Sequence, residues 1–113
     1  MTFMYIRNFL TETIDAIEEA GQSILGVDWV GTSDGKKVCS WNDFVTMADF
    51  DYDYSYGGQV IEATLVVRFK DSTWLERREY DGSEWWEYKK APRKARKPEP
   101  LPRLKAKRFC DDD

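Results

Sequence analysis

The stretch that most constrains the fold runs from Gln59 to Lys89. In "QVIEATLVVRF", Ile61, Ala63, Leu65, Val67 and Phe69 alternate with Glu62, Thr64 and Arg68. A period of two marks a strand with one buried face. "KDST" then turns the chain into "WLERREY", and Asp81-Gly82, a favoured hairpin dipeptide, turns it again into "SEWWEYK". Three consecutive antiparallel strands are expected, and their apolar face must be buried against another element.

The N-terminal segment supplies that element. Over residues 2–20, Phe3, Ile6, Leu10, Ile14 and Ile17 recur at three- and four-residue steps, with Glu12, Asp15, Glu18 and Glu19 on the other side. This spacing predicts an amphipathic helix ended by Gly21. "SILGVDWVG" and "KVCS", joined through Asp34-Gly35, read as a hairpin over residues 24–39. Ser40, followed three positions later by Asp43, reads as the cap of a short helix over 41–48 that carries Trp41, Phe44, Val45 and Ala48. The expected fold is α+β: an antiparallel sheet of about five strands with an N-terminal helix on one face, and a basic, proline-rich C-terminal tail.

The tail is distinct in texture. All four prolines lie beyond Lys90, mixed with Lys and Arg and without apolar periodicity. The division expected is a compact domain over 1–90 and a flexible basic tail over 91–113. Charge divides the same way. Residues 1–88 hold 17 acidic and 7 basic side chains, a net charge of −10, whereas residues 89–113 hold 10 basic and 4 acidic, a net charge of +6. No apolar run is long enough to span a bilayer, and the N-terminus lacks the basic region and cleavage site of a signal peptide. Cys39 and Cys110 stand in no metal or redox spacing, so reduced thiols and a cytoplasmic location are expected.

Catalytic chemistry finds little support. Histidine is absent, which removes the commonest general base and transition-metal ligand. Cys39 has no histidine to activate it and reads as a small core residue, and Ser40 reads as a cap. No phosphate loop, dinucleotide fingerprint or CxxC pair occurs. Asp49, Asp51 and Asp53 alternate like the first ligands of a calcium loop, but Tyr54 and Val60 occupy the places that need glycine and glutamate. A metal cluster of Asp51, Asp53 and Glu62 is the remaining enzymatic reading. The expectation is a protein that is not an enzyme, with no cofactor and no metal.

What the sequence does offer is a charged surface. In "ADFDYDYSYGG" acid and ring alternate, so an extended chain would carry Asp49, Asp51 and Asp53 on one side and Phe50, Tyr52, Tyr54 and Tyr56 on the other. One reading is a solvated strand edge, where charge discourages mispairing. The other is a partner-binding surface of Asp49, Asp51, Tyr52, Asp53, Tyr54, Tyr56, Trp85 and Glu87, matched to the arginines and lysines of a basic, nucleic-acid-handling protein. A third possibility uses the tail, with Lys89, Lys90, Arg93, Lys94, Arg96 and Lys97 contacting phosphates of a nucleic acid. Neither membrane binding nor a particular oligomeric state is implied.

"WLERREYDGSEWWEYK", with "SWNDFVTMADF" more loosely, resembles short proteins encoded by phages and prophages. In its small size, acidity and density of aromatic residues the chain is also similar in character to anti-CRISPR proteins. That resemblance implies an inhibitor or adaptor acting on a host nuclease or its complex, for example a CRISPR effector, in the host cytoplasm.

Overall fold

The computed structural model describes residues 6–54 and 59–106; Phe3, Tyr56, Gly57, Gly58, Phe109 and Cys110 lie outside them. Its elements in order are β1 (Ile6–Asn8), α1 (Phe9–Glu19), a 3₁₀ turn (Ile24–Gly26), β2 (Val27–Thr32), β3 (Val38–Cys39), α2 (Trp41–Ala48), β4 (Asp51–Asp53), β5 (Leu65–Phe69), β6 (Trp74–Tyr80) and β7 (Ser83–Lys89). A five-stranded antiparallel sheet has the order β3-β2-β5-β6-β7, and β1 and β4 form a separate two-stranded antiparallel ribbon. The fold is α+β, with the N-terminal helix packed on the sheet.

Each turn of the meander has a local cause. Asp81 and Gly82 both take positive φ, as a two-residue hairpin with the right-handed strand twist requires, and Tyr80 then pairs with Ser83. The Ser40 hydroxyl accepts the Asp43 N–H at 3.1 Å and starts α2 as the sequence predicts. At the end of α1, Gly21 sits at φ +74°; its N–H bonds to the Glu18 carbonyl and the Gln22 N–H to that of Ile17. That pair of bonds forms a Schellman stop, which needs the left-handed residue.

The helix expected over 2–20 needs correction. Asn8 is its cap, accepting the Thr11 N–H at 2.9 Å, and Ile6–Asn8 extend as a strand that pairs with Asp51–Asp53. Ile6 therefore belongs to no helical stripe. The buried face of α1 is Phe9, Thr13 and Ile17, with Glu12 beside it, while Leu10 and Ile14 are half-buried. Sequence periodicity placed the face about one position away, because it scored Thr13 and Glu12 as polar and hence external. The strand expected over 59–69 is also shorter. Residues 59–64 are irregular and β5 begins at Leu65, although Ile61 remains in the core.

One core lies between the sheet and a layer formed by α1, α2 and the β1–β4 ribbon. It contains Phe9, Ile17, Phe44, Ala48, Tyr52 and Ile61 from the covering layer, and Val30, Val67, Phe69, Leu75 and Trp86 from the sheet. The opposite sheet face has no helix or strand over it among the described residues. Residues 90–106 form neither helix nor strand and are exposed. No helix of the described residues is long and apolar enough to cross a membrane.

Candidate functional site

The alternation of acid and ring holds along β4, where Tyr52 faces inward, while Phe50 just before it is exposed. Asp49 and Asp51 are exposed, whereas Tyr52 is only 5% exposed and lies in the core. Its assignment as a surface contact is therefore corrected: antiparallel pairing with β1 fixes the pleat, and the Tyr52 ring packs against Phe9 of α1. Phe9 meets Phe50 and Tyr52 at ring-centroid distances of 5.6 and 5.9 Å. Tyr54 is half-buried beneath the Arg7 guanidinium, 3.4 Å from its ring centroid. Asp53 is half-buried and Tyr56 is outside the described residues. Trp85 and Glu87 point to the uncovered sheet face, whereas Asp51 and Tyr52 belong to the covering layer; the two sides meet where the Glu84 N–H of β7 bonds to the Tyr54 carbonyl at 3.0 Å.

Behind the ribbon lies a buried polar cluster built on Glu12, which periodicity placed outside. Arg77 is wholly buried, with its Nη1 2.8 Å from Glu12 Oε2 and its Nη2 3.6 Å from Glu84 Oε1. Tyr52 donates its hydroxyl hydrogen to Glu12 Oε1 and accepts a bond from Arg77 Nη2 at 3.1 Å. Glu84, also buried, receives the N–H groups of Val60 and Ile61 at 2.7 and 3.0 Å, which ties the loop before β5 to β7. Arg7 approaches Glu12 at 3.5 Å and brings a second positive charge to two carboxylates. Arg77 Nε has no hydrogen-bond partner among the described residues, but the guanidinium lies 4.8 Å from the Trp86 ring centroid and 5.2 Å from that of Phe9. Burial and the hydrogen bond to Glu12 push the Tyr52 phenol well above its ordinary pKa. Every carboxylate here has charged or N–H partners, so the cluster locks helix, ribbon and sheet together rather than presenting a reactive group. Its sequence signal is phase: Arg77 shares the inward parity of Leu75, and Glu84 that of Trp86.

Outside this cluster, the covering layer is acidic. Residues 6–20 and 40–54 contain eight carboxylates and one basic side chain, Arg7, which is engaged with Tyr54 and Glu12. Asp15, Glu18, Glu19, Asp43, Asp49 and Asp51 are all exposed and make no ion pair among the described residues. Asp49 is held in place by Asn8 Nδ2, 2.9 Å from its Oδ1.

The uncovered sheet face differs: it mixes both signs of charge with indole rings. Strand register sets Trp29 opposite Arg68, Arg68 opposite Trp74, and Trp74 opposite Lys89, in one row across β2, β5, β6 and β7. The next row is Gly31, Val66, Glu76 and Glu87, and Arg78 then pairs with Trp85, which is 38% exposed. Arg78 Nε lies 3.0 Å from Glu87 Oε2, and Lys89 Nζ lies 2.7 Å from Glu87 Oε1. These two cations lower the Glu87 pKa from its ordinary value, Lys89 contributing more. A cleft of about 550 Å³ is lined by Trp29, Arg68 and Trp74, with Asp34, Thr64 and Glu76 among its other walls. Of the expected phosphate contacts, Lys89 ends β7, while Lys90, Arg93, Lys94, Arg96 and Lys97 are exposed and unpaired with any described carboxylate.

Cys39 lines a separate apolar cleft of about 400 Å³ between α2 and β3, near exposed Val38, Met47, Phe50 and Val60. Burial first, and the Asp43 charge second, push its thiol above the ordinary value, so at neutral pH it is protonated and a poor nucleophile. Among the described residues no group of three or more Cys, Asp or Glu side chains could hold a metal ion, so Asp51, Asp53 and Glu62 are not gathered into a site. No protein-family model, curated protein or solved structure shows significant similarity to the chain.

Proposed function

We propose that this chain is a binding protein without catalytic activity, whose acidic helical layer engages the basic surface of a nucleic-acid-handling protein. The observation that carries this reading is the composition of that layer: its exposed carboxylates pair with no cation among the described residues, and its single arginine is already in use. Such a surface attracts a basic groove over a Debye length of about 10 Å and orients the approach. Because Tyr52 and Phe9 are buried beneath it, the layer offers carboxylates without the aromatic anchors of a usual hot spot. Its contribution therefore falls mainly on association rate and partner choice, each exposed pair adding only about 0–1 kcal/mol of affinity. Taken with the likeness of the β6–β7 hairpin to phage-encoded proteins, this suggests an inhibitor or adaptor of a host nuclease complex, such as a CRISPR effector, working in the cytoplasm.

The test is capture from a bacterial lysate by the immobilised chain, in parallel with a variant carrying Asp15→Asn, Glu18→Gln, Glu19→Gln, Asp49→Asn and Asp51→Asn. A nucleic-acid-processing protein retained by the parent and lost from the variant supports the reading. Partners retained equally by both would remove the acidic layer from the mechanism.

A further inference from the structure

The uncovered sheet face carries features that neither packing nor the acidic layer explains. Neighbouring strands lie about 4.8 Å apart, so the backbones bearing Trp29 and Trp74 are separated by about 9.6 Å with Arg68 between them. Arg68 occupies the place between the two indoles, so a planar group stacks beside either of them with the cation one strand away. The Trp74 ring is fixed by its own hydrogen bond, Nε1 donating to Glu76 Oε1 at 2.9 Å. With its edge satisfied, Trp74 offers a newcomer only its π face.

Arg68 supplies the charge. It is half-buried, makes no ion pair among the described residues, and does not lie over an aromatic ring. Its neighbours on this face, Arg78 and Lys89, are held by Glu76 and Glu87. A half-buried guanidinium without a counter-ion is suited to an oxyanion, which it can hold through two parallel N–H bonds. The carboxylates at the rim are already engaged: Asp34 by Thr32 Oγ1 and the Lys36 N–H, and Glu76 by Trp74 and Arg78. Lys90 and Arg93 line a further cleft of about 650 Å³ with Asp71, Ser72 and Thr73, just past the Trp74–Lys89 end of the row. Lys94, Arg96 and Lys97 continue from there.

We infer that this face binds single-stranded nucleic acid. One or two bases stack on Trp29 and Trp74, a phosphate sits on Arg68, and the following phosphates run along the basic tail. Flat rings joined by anions at short intervals match aromatic residues interleaved with cations, the pattern of single-strand platforms. A duplex does not fit, because its bases are already stacked on one another. This surface lies opposite the acidic layer, so the inference stands independently of the function proposed above, and together they describe an adaptor with a protein-facing side and a nucleic-acid-facing side.

The test uses the full chain and a fluorescently labelled oligothymidylate of about 15 nucleotides, within the range of single-strand site sizes. Anisotropy and quenching of tryptophan emission are read at about 50 mM and about 200 mM salt. Binding by the parent is expected, with Trp74→Leu weakening it about tenfold. Arg68→Gln should weaken binding several-fold and lower the salt slope by about 0.7, the loss of one phosphate contact on a single strand. The acidic-layer variant should bind at least as tightly as the parent. If Trp74→Leu fails to fold by circular dichroism, Arg68→Gln decides. The inference is overturned if the parent does not bind at the lower salt. It is equally overturned if Arg68→Gln matches the parent in affinity and slope, or if a duplex of the same length binds as tightly, since tail electrostatics alone would then be acting.

Discussion

Replacing Arg77 by methionine is expected to be the most damaging conservative change in the domain. Methionine keeps a flexible stem beside Phe9 and Trp86 but removes the cation, leaving Glu12 and Glu84 buried with no partner of opposite charge on the sheet side. Breaking a buried pair in this way costs about 3–5 kcal/mol, because the remaining charge keeps its desolvation penalty. A domain of this size has about 5–15 kcal/mol in total, so the variant should lie near the edge of folding. At about 4–8 °C per kcal/mol the melting temperature should fall by roughly 12–40 °C. Thermal and urea unfolding followed by tryptophan emission read this directly, since Trp86 stands against the guanidinium. Adding Glu12→Gln removes one of the stranded charges and should restore part of the loss, with a coupling of about 0.5–3 kcal/mol. If Arg77→Met melts within a few degrees of the parent, or the coupling is zero, the cluster does not hold helix, ribbon and sheet together.

Three further outcomes follow from single contacts. Because burial raises the Tyr52 phenol while an unfolded tyrosine ionises near pH 10, the folded state keeps its proton longer; stability should be level below about pH 10 and fall above it. Tyr52→Phe should flatten that alkaline decline in pH-dependent urea titrations. Gly31→Ala should loosen the β2–β3 hairpin by about 1–3 kcal/mol, since an added Cβ would stand 2.2 Å from the Lys37 carbonyl oxygen, and the loss should appear as faster amide exchange at Val38 and Cys39. Ending the chain after Lys90 should leave the melting temperature within a few degrees of the parent, because residues 91–106 are exposed; a large drop would mean that Leu101 or Leu104 supports the core.

The parts legible in the sequence were those fixed by local chemistry. Asp81-Gly82 specified its turn, Ser40 its cap, Gly21 its stop, and the adjacent Trp85 and Trp86 had to face opposite sides of β7. What escaped was set by pairing across long separations. Nothing near Ile6–Asn8 announces that β4, more than forty residues away, will extend it as a strand. Glu12 was assigned outward by its charge and is buried, while the buried Arg77 and Glu84 drew no attention although they fall in phase with Leu75 and Trp86. The acid–ring alternation is present along β4, but the burial of Tyr52 depended on Phe9 of α1 lying over it. Trp29 and Arg68 could be joined to Trp74 and Lys89 only once strand order and register were known.

Stopped-flow association with the partner retained in the lysate experiment tests the proposed role of the acidic layer most directly. For the parent, the association rate constant should fall steeply as salt rises from about 50 to about 200 mM, the mark of electrostatic steering. For the chain with Asp15, Glu18, Glu19, Asp49 and Asp51 neutralised, it should be at least about tenfold lower at the lower salt and nearly independent of salt, with the dissociation rate little changed. Equal association rates and equal salt dependence for the two chains would contradict the account and leave those carboxylates as a solvated edge.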